Sequence, residues 1–429
     1  MLIVAKFGGS SLADAEGFRA VGEILRADPK RRCVVVSAPG RRSPEDRKLT
    51  DLLYDCYAER GGGAWRSLLR IILERFDAIA ADLDVKPDWL PERERLSIAL
   101  ADGTAERDYV ASRGEYFCAK LMAAYLRRPF LDSADWLRMN ADGTADLARS
   151  YAALQALARD GFVTPGFYGA LADGTIRTFP RGGSDVTGAL AAAALRAECY
   201  ENWTDVPGLF EADPSVFPEA RPVRFMTYRE LAALGAVGVQ VLHSGAIRPM
   251  REAGIPLLIR STRQPDDPGT RIAPEKPADL RRGRLLCLGA RRELALLQAD
   301  APSHLNALLR ESGIVPVFCA ETRSEQTALI PAEPLPERME LFSSAPGGIR
   351  VESGLSLIAV ILAEASDCGK TAAELPALLE QNGVPVHAIL FPGADSALLL
   401  AIPDDRFHFA VRVLLQAARL NEDADPFGA

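Results

Sequence analysis

A mainly parallel α/β sheet sandwiched by helices, followed by two small α+β units, is the fold class that this sequence predicts. Three observations predict it. Over residues 1 to about 262, short apolar runs alternate with amphipathic helical patterns, as units of a parallel sheet require. Gln264-Pro265-Asp266-Asp267-Pro268-Gly269 then breaks the alternation with turn residues and reads as a linker. Beyond about residue 281 the pattern shortens, and a strand-helix-strand-strand order occurs twice. The expected domains are 1–262, a linker at 263–280, a first small unit at 281–350 and a second at 351–429. At 429 residues the chain exceeds the size at which single cores stop growing.

Leu2 to Ala5 form a short apolar strand that runs into Lys6-Phe7-Gly8-Gly9-Ser10-Ser11. Leu12, Ala15, Phe18, Val21 and Leu25 follow at helical spacing. The motif is thus a turn between strand and helix, with Ser11-x-x-Asp14 able to cap the helix. Adjacent glycines let backbone N–H groups approach an anion, and Lys6 brings positive charge to the same place. A tight turn beside a surface lysine is the plainer reading of that stretch alone. A second polar, glycine-rich turn, Arg181-Gly182-Gly183-Ser184-Asp185, weighs against it.

Cys33 to Val36 reads as a second buried strand, ending in Ser37-Ala38-Pro39-Gly40. Ligands of such sheets bind beyond the carboxyl ends of strands, where Lys6 and Ser37 both stand. Arg41 to Lys48 reads as a mobile solvent loop, and Thr50 opens a helix carrying Leu52, Leu53 and Cys56. Residues 61–105 hold helices without evident chemistry. Ser112-Arg113-Gly114-Glu115 opens a helix to Leu126, where Glu115 either complements the helix dipole or binds a ligand ammonium. Phe130 to Asp132 is a strand, Leu147 to Ala158 a helix, and Phe162 to Tyr168 and Thr175 to Phe179 are two further strands. Pro180 and the second glycine turn lead into an alanine-rich helix, Val186 to Ala197. Its arginine suits bidentate carboxylate binding, and its aspartate can hold a lysine or a metal ion. Tyr200 to Trp203 is a strand ending at Thr204-Asp205-Val206-Pro207-Gly208, and Ile255 to Arg260 is the last before the linker. The first small unit comprises Arg284–Leu288, the helix Leu305–Arg310, Val315–Cys319 and Thr327–Ile330. The second comprises Leu355–Leu362, the helix Ala372–Gln381, Val386–Leu390 and Ala397–Ile402, before a helix over Arg406–Leu420. Such paired units suit regulation or dimerisation rather than a second enzyme.

Composition narrows the function. Apolar residues make up 48% and charged residues 25%, ordinary for a globular protein, and the net charge is −8. Without a long Lys/Arg run, nucleic acid is excluded as a main partner. No apolar run reaches the eighteen or so residues of a membrane span. The N-terminus lacks the pattern of a signal peptide, so a cytoplasmic location is expected. Seven cysteines are scattered without a C-x-x-C pair, and Cys33, Cys118, Cys287 and Cys319 read as buried thiols. The four histidines, His243, His304, His387 and His408, form no metal pair and leave a Ser-His-Asp hydrolase unsupported. Gly369-Lys370-Thr371 lacks the upstream glycine of a P-loop and reads as a helix start.

The three motifs Lys6 to Ser11, Arg181 to Asp185 and Thr204 to Gly208, in that order, resemble those of the aspartate kinases. The likeness continues through Ala212-Asp213-Pro214 and Val241-Leu242-His243. The resemblance implies the amino acid kinase fold followed by paired ACT (ferredoxin-like) units, one commonly interrupted by the other. It implies phosphoryl transfer from ATP, with Mg2+, to the β-carboxylate of L-aspartate, the first step towards lysine, threonine and methionine. A carboxylate with a pKa of about 4 needs no general base at neutral pH. The difficulty is bringing an anion to a polyanion, so cations and N–H donors must gather at the γ-phosphoryl group. By the family match Lys6, Gly8 and Gly9 do this, and Asp185 orients Lys6. Arg181 clasps a substrate carboxylate and Glu115 the α-ammonium, with Ser37, Thr50, Gly183 and Ser184 as further substrate contacts. Thr204 and Asp205 contact the nucleotide, with Ser10, Phe210, Asp213 and Gln240 on the same side.

Four positions depart from that pattern. Phe210 stands where many relatives have tyrosine, Ser215 where they have arginine, and Gln240 where they have lysine. Pro180 replaces a small residue. Two lost cations predict a raised Michaelis constant for ATP unless Arg248 and Arg251 substitute. The family's ACT units commonly bind lysine or threonine, although Ala301-Pro302-Ser303-His304-Leu305-Asn306 follows that helix start only loosely. A homodimer through these units is expected. Two alternatives stay open: a same-fold kinase for another amino-acid carboxylate or carbamate, and a non-catalytic amino-acid sensor.

Overall fold

The computed structural model describes residues 2–180, 182–236, 242, 244–277, 285–300, 302–321, 325–338, 341–342, 348–362, 368–390 and 397–423. They fall into two units: Met1–Gly208 with Leu242–Pro274, and Leu209–Val241 with Glu275–Ala429. The stretch 209–241, expected in the first domain, therefore groups with the second unit. No composition change marks it.

The first unit begins with β1 (Ile3–Phe7), a 3-10 turn (Gly9–Leu12), α1 (Ala15–Ala27) and β2 (Arg31–Val36). Helices α2 (Leu49–Ala58), α3 (Trp65–Asp82), α4 (Leu90–Ala101) and α5 (Arg107–Leu126) follow. Then come the single turn α6 (Ser133–Trp136), α7 (Leu147–Leu157), β3 (Phe162–Pro165) and the hairpin β4 (Tyr168–Ala170) and β5 (Ile176–Thr178). α8 (Gly183–Ala194) and β6 (Cys199–Thr204) complete the run. Strands β7 (Leu209–Phe210), β8 (Pro222–Val223) and β9 (Phe225–Thr227) and helix α9 (Tyr228–Ala236) lie in the second unit. The chain returns to the first unit with α10 (Ser244–Ala253), β10 (Leu257–Ser261) and β11 (Thr270–Ala273).

Strands β3, β2, β1, β6 and β10 lie side by side in parallel, and β11 pairs antiparallel with β10. The strands read as apolar runs because helices cover both faces. Helices α1 to α5 share one core with β1 and β2, and α8 packs against β1, β2 and β6 with α7 and α10 beside it. Register places Phe7 opposite Val36 and Trp203, so the carboxyl ends of β1, β2 and β6 open at one level.

Several local expectations change. The side chain of Asp14 accepts from Gly17 N–H at 2.9 Å and caps α1, whereas the Ser11 hydroxyl bonds that of Thr262 at 2.9 Å. The intervening 3-10 turn moves the helix start past Ser11. α5 starts at Arg107 rather than Ser112, so Glu115 lies within it. Phe130 forms only an isolated bridge to Val163, and the Asp132 side chain caps α6 by accepting from Ala134 N–H at 3.0 Å. The loop after Arg41 is tethered rather than free: Asp46 accepts from Arg42 Nε at 2.9 Å and lies 3.4 Å from Arg75 Nη1. Cys33, Cys118 and Cys287 are buried, but Cys319 is exposed.

In the second unit, β12 (Leu285–Ala299), α11 (Pro302–Ser312), β13 (Phe318–Glu321) and β14 (Gln326–Pro331) precede β15 (Ile349–Leu362). Then come α12 (Cys368–Gln381), β16 (Ala388–Leu390), β17 (Ala397–Pro403) and α13 (Phe407–Asp423). α12 confirms a helix start near Gly369. One antiparallel sheet runs β13-β14-β12-β15-β17-β16. Leu294–Ala299 of β12 pairs with β14 and with Ile349–Leu355 of β15, while Leu285–Arg291 pairs with Leu357–Leu362, beside β17. Each long strand therefore serves both ACT-type halves, and the first half is inserted into the second. Register shifts, with left-handed backbone at Glu293 (φ 58°) and Gly354 (φ 77°), mark the crossing. Arg292 pins it by pairing with Asp404 at 2.6 Å. Among the described residues no helix is long and apolar enough to cross a membrane.

Candidate active site

The carboxyl ends of β1 and β2, the first turn of α2, the middle of α5 and the start of α8 border one cleft of about 910 Å3. Lys6, Ser37, Thr50, Glu115, Gly183, Ser184 and Asp185 all line it. Seven of the expected site residues, from five separate segments, are thus brought together.

Lys6 is only 8% exposed, and its Nζ lies 2.6 Å from Asp185 Oδ1. A buried ammonium requires such a partner. Asp185 sits in the first turn of α8, where its charge suits the helix dipole. Gly182 precedes that turn at φ 84°, a conformation that other residues adopt only at a cost, which explains one glycine of the motif. The Tyr200 hydroxyl donates to the Asp185 carbonyl at 3.2 Å.

The glycines of the first motif answer a different need. A Cβ on Gly9 would fall 2.5 Å from the Ala38 carbonyl oxygen, and Gly40 N–H donates to Gly9 O at 2.7 Å. The turns after β1 and β2 therefore touch backbone to backbone. Gly8 N–H donates to the Trp203 carbonyl at 3.0 Å, tying its turn to β6. Arg75 of α3 donates from Nη2 to the Ala13 carbonyl at 3.1 Å and to the Gly40 carbonyl, bracing both turns.

Glu115 lines the same cleft. It is buried, its Oε2 has no hydrogen-bond partner, and burial raises its pKa to about 7. An N–H of Ala38 and the Arg113 charge oppose that rise. Such a carboxyl accepts a ligand cation readily, because ionisation inside an apolar wall needs a counter-charge.

Other expected residues lie elsewhere. Ser10 is exposed in the 3-10 turn; Thr204 ends β6 and Asp205 follows it, and the Thr204 hydroxyl donates to Asp205 Oδ1 at 3.1 Å. Phe210 and Asp213 are in the second unit, where Phe210 packs on its core and Asp213 Oδ1 accepts from Ser215 N–H at 2.9 Å. Arg248 pairs with Glu252 at 2.7 Å on α10. Arg181 and Gln240 fall outside the described residues. Three further residues escaped the sequence reading: Asn202 beside Lys6, Arg75 under the turns, and Asp108, whose Oδ2 accepts from Thr178 N–H at 3.1 Å at the cleft wall. A polar pair, Glu201-Asn202, in a strand buried on both faces was the available signal for the first.

Among the described residues, no group of three His, Cys, Asp or Glu side chains could hold a metal ion. A magnesium ion carried by nucleotide phosphates and water needs no such cage.

Residues 1–261 match the amino acid kinase family. The chain is 37% identical over 289 residues to aspartokinase 3 of Bacillus subtilis, spanning 64% of each protein. It is 29% identical to lysine-sensitive aspartokinase 3 of Escherichia coli, over 92% of this chain and 96% of that one. The crystal structure of Clostridium acetobutylicum aspartate kinase matches with a TM-score of 0.88 at 29% identity, covering 97% of this chain and 99% of that chain. With a parallel sheet, a lysine–aspartate pair at its carboxyl edge and a family match over that whole stretch, the chain belongs to the amino acid kinase family.

Proposed function

We propose that the chain is an aspartate kinase, moving the γ-phosphoryl group of ATP to the β-carboxylate of L-aspartate to give 4-phospho-L-aspartate. The observation that carries this reading is the cleft with an ion-paired lysine at one place and a buried, half-partnered carboxyl at another. An α-amino acid with a side-chain carboxylate carries the matching charges. Named aspartokinases among the relatives support the choice of substrate.

In this reading Glu115 binds the α-ammonium, and Arg181 clasps a carboxylate, with Ser37, Thr50 and Ser184 as hydroxyl partners. The attacking oxygen is already ionised, so no base is needed. Lys6 lowers the repulsion between that oxygen and the phosphates and stabilises charge on the transferring group, while Asp185 keeps its ammonium in place. Gly9 allows the backbone to come close. ATP supplies the phosphoryl group, with Mg2+ on its phosphates; Thr204 and Asp205 stand at the sheet edge where the nucleoside would lie. The ACT-type halves serve as a dimerisation and feedback module for lysine or threonine, in a cytoplasmic enzyme.

A coupled ADP assay with hydroxylamine tests the reading. Aspartate-dependent ADP release matched by hydroxamate is expected. ADP release with glutamate but not aspartate, or none with any amino acid, would overturn it.

A further inference from the structure

Asn202 stands directly opposite Lys6 in the parallel pairing of β1 with β6, so both side chains leave the sheet on the same face. It is 5% exposed. An amide buried in a strand covered on both sides is costly unless its groups are bonded. Here they are. Lys6 Nζ donates to Asn202 Oδ1 at 3.3 Å, and Asn202 Nδ2 donates to Asp185 Oδ1 at 3.3 Å. Lys6 Nζ lies 2.6 Å from that same Oδ1, closing a triangle of ammonium, carboxylate and amide. The reverse amide orientation would set its NH2 against the ammonium and its oxygen against the carboxylate, so the triangle admits one arrangement.

An ammonium carries three N–H donors on a freely turning carbon–nitrogen bond. One contact, to Asp185 alone, would leave the other two sweeping a cone. A second contact, to Asn202, stops that rotation and gives the third N–H a fixed direction. Lys6 itself borders the cleft. We propose that Asn202 is a positioning residue that fixes the Lys6 ammonium so that its remaining N–H meets the transferring phosphoryl oxygen. The proposal rests on the reading of Lys6 given under Proposed function. Asn202 touches no reacting atom and acts through Lys6.

Three full-length variants test it: Asn202→Leu, Asp185→Asn, and the exchanged pair Asn202→Asp/Asp185→Asn. Leucine has the same branched shape and number of side-chain heavy atoms and suits the buried site, so the thermal midpoint should hold. In Asn202→Leu, kcat should fall on the order of 10- to 100-fold, the loss typical of a misdirected group, with KM for aspartate and ATP within about twofold. The exchanged pair keeps one carboxylate and one amide around the ammonium, and should recover turnover at least tenfold over Asp185→Asn. Side-chain order of Lys6, read by NMR of lysine-labelled protein, should be high in the natural chain and low in Asn202→Leu. Wild-type kcat in Asn202→Leu, or a KM rise without a kcat loss, overturns the proposal. If Asn202→Leu does not fold, the exchanged pair decides: recovery supports the proposal and its absence overturns it. If the natural chain forms no acyl phosphate, the functional reading fails separately. The NMR order then decides the positioning role, a drop in Asn202→Leu supporting it and no change overturning it.

Discussion

The two ionisable centres of the cleft, a Lys6 end and a Glu115 end only in the sense of what each binds, differ in how complete they are. At the Lys6 end, the ammonium, the Asp185 carboxylate and the Asn202 amide hold one another in a closed triangle. At the Glu115 end, one carboxyl oxygen is buried without a partner and the group holds its proton to about pH 7. The first end is preorganised and pays no reorganisation when charge develops. The second is finished only by an arriving cation. The difference teaches which residues should govern rate and which should govern binding.

The largest effect should follow damage to the complete end. Asp185→Asn should lower kcat by about 10²- to 10³-fold, with a smaller change in KM for aspartate, in steady-state kinetics. An equal loss spread over both constants would erase the contrast between the two ends. Glu115→Gln should instead raise KM for aspartate on the order of 100-fold and leave kcat at saturation near its original value.

pH sharpens the same contrast. Below about pH 7 Glu115 is protonated in the free protein and must release a proton to pair with an ammonium. KM for aspartate should therefore rise as pH falls below 7, and calorimetry in two buffers at pH 6 should register proton release on binding. The sign for stability is opposite. A carboxyl whose folded pKa is raised binds more protons folded than unfolded, between its unfolded value of about 4.3 and the folded value near 7. Its contribution falls by roughly 4 kcal/mol as pH rises through that window and is flat above it. Glu115→Gln should remove that slope from urea-unfolding data.

Smaller effects should come from the braces. Arg75→Met leaves the Gly40 and Ala13 carbonyls without their donor and should cost about 2 kcal/mol, measured by denaturant midpoint. Arg42→Ala removes a half-exposed partner of Asp46 and should cost less than about 1 kcal/mol.

Much of this was legible in the sequence, for physical reasons. Buried parallel strands announce themselves as apolar runs, and β1, β2, β6 and β10 all fall where those runs lie. The start of α5 did not, because this helix is buried on nearly all sides and carries no polar face to set a period. That hid Glu115's position inside the helix, though not its candidacy. β12 and β15 extend beyond their expected bounds because the breaks at Glu293 and Gly354 interrupt the alternation that defines a strand. Lys6 and Asp185 came from motifs that the family shares. Asn202 did not: the polar pair Glu201-Asn202 marks the strand as unusual, but what the amide does there shows only once its neighbour across the ladder is known.

Lys6→Met gives the most direct test, because methionine keeps the length and bulk of the side chain while removing its charge. With saturating aspartate and ATP, the hydroxamate formed per minute should drop by at least about 10³-fold while the thermal midpoint stays within a few degrees. Turnover within tenfold of the natural chain would contradict the account, because then no cation from the end of β1 is needed to join two anions.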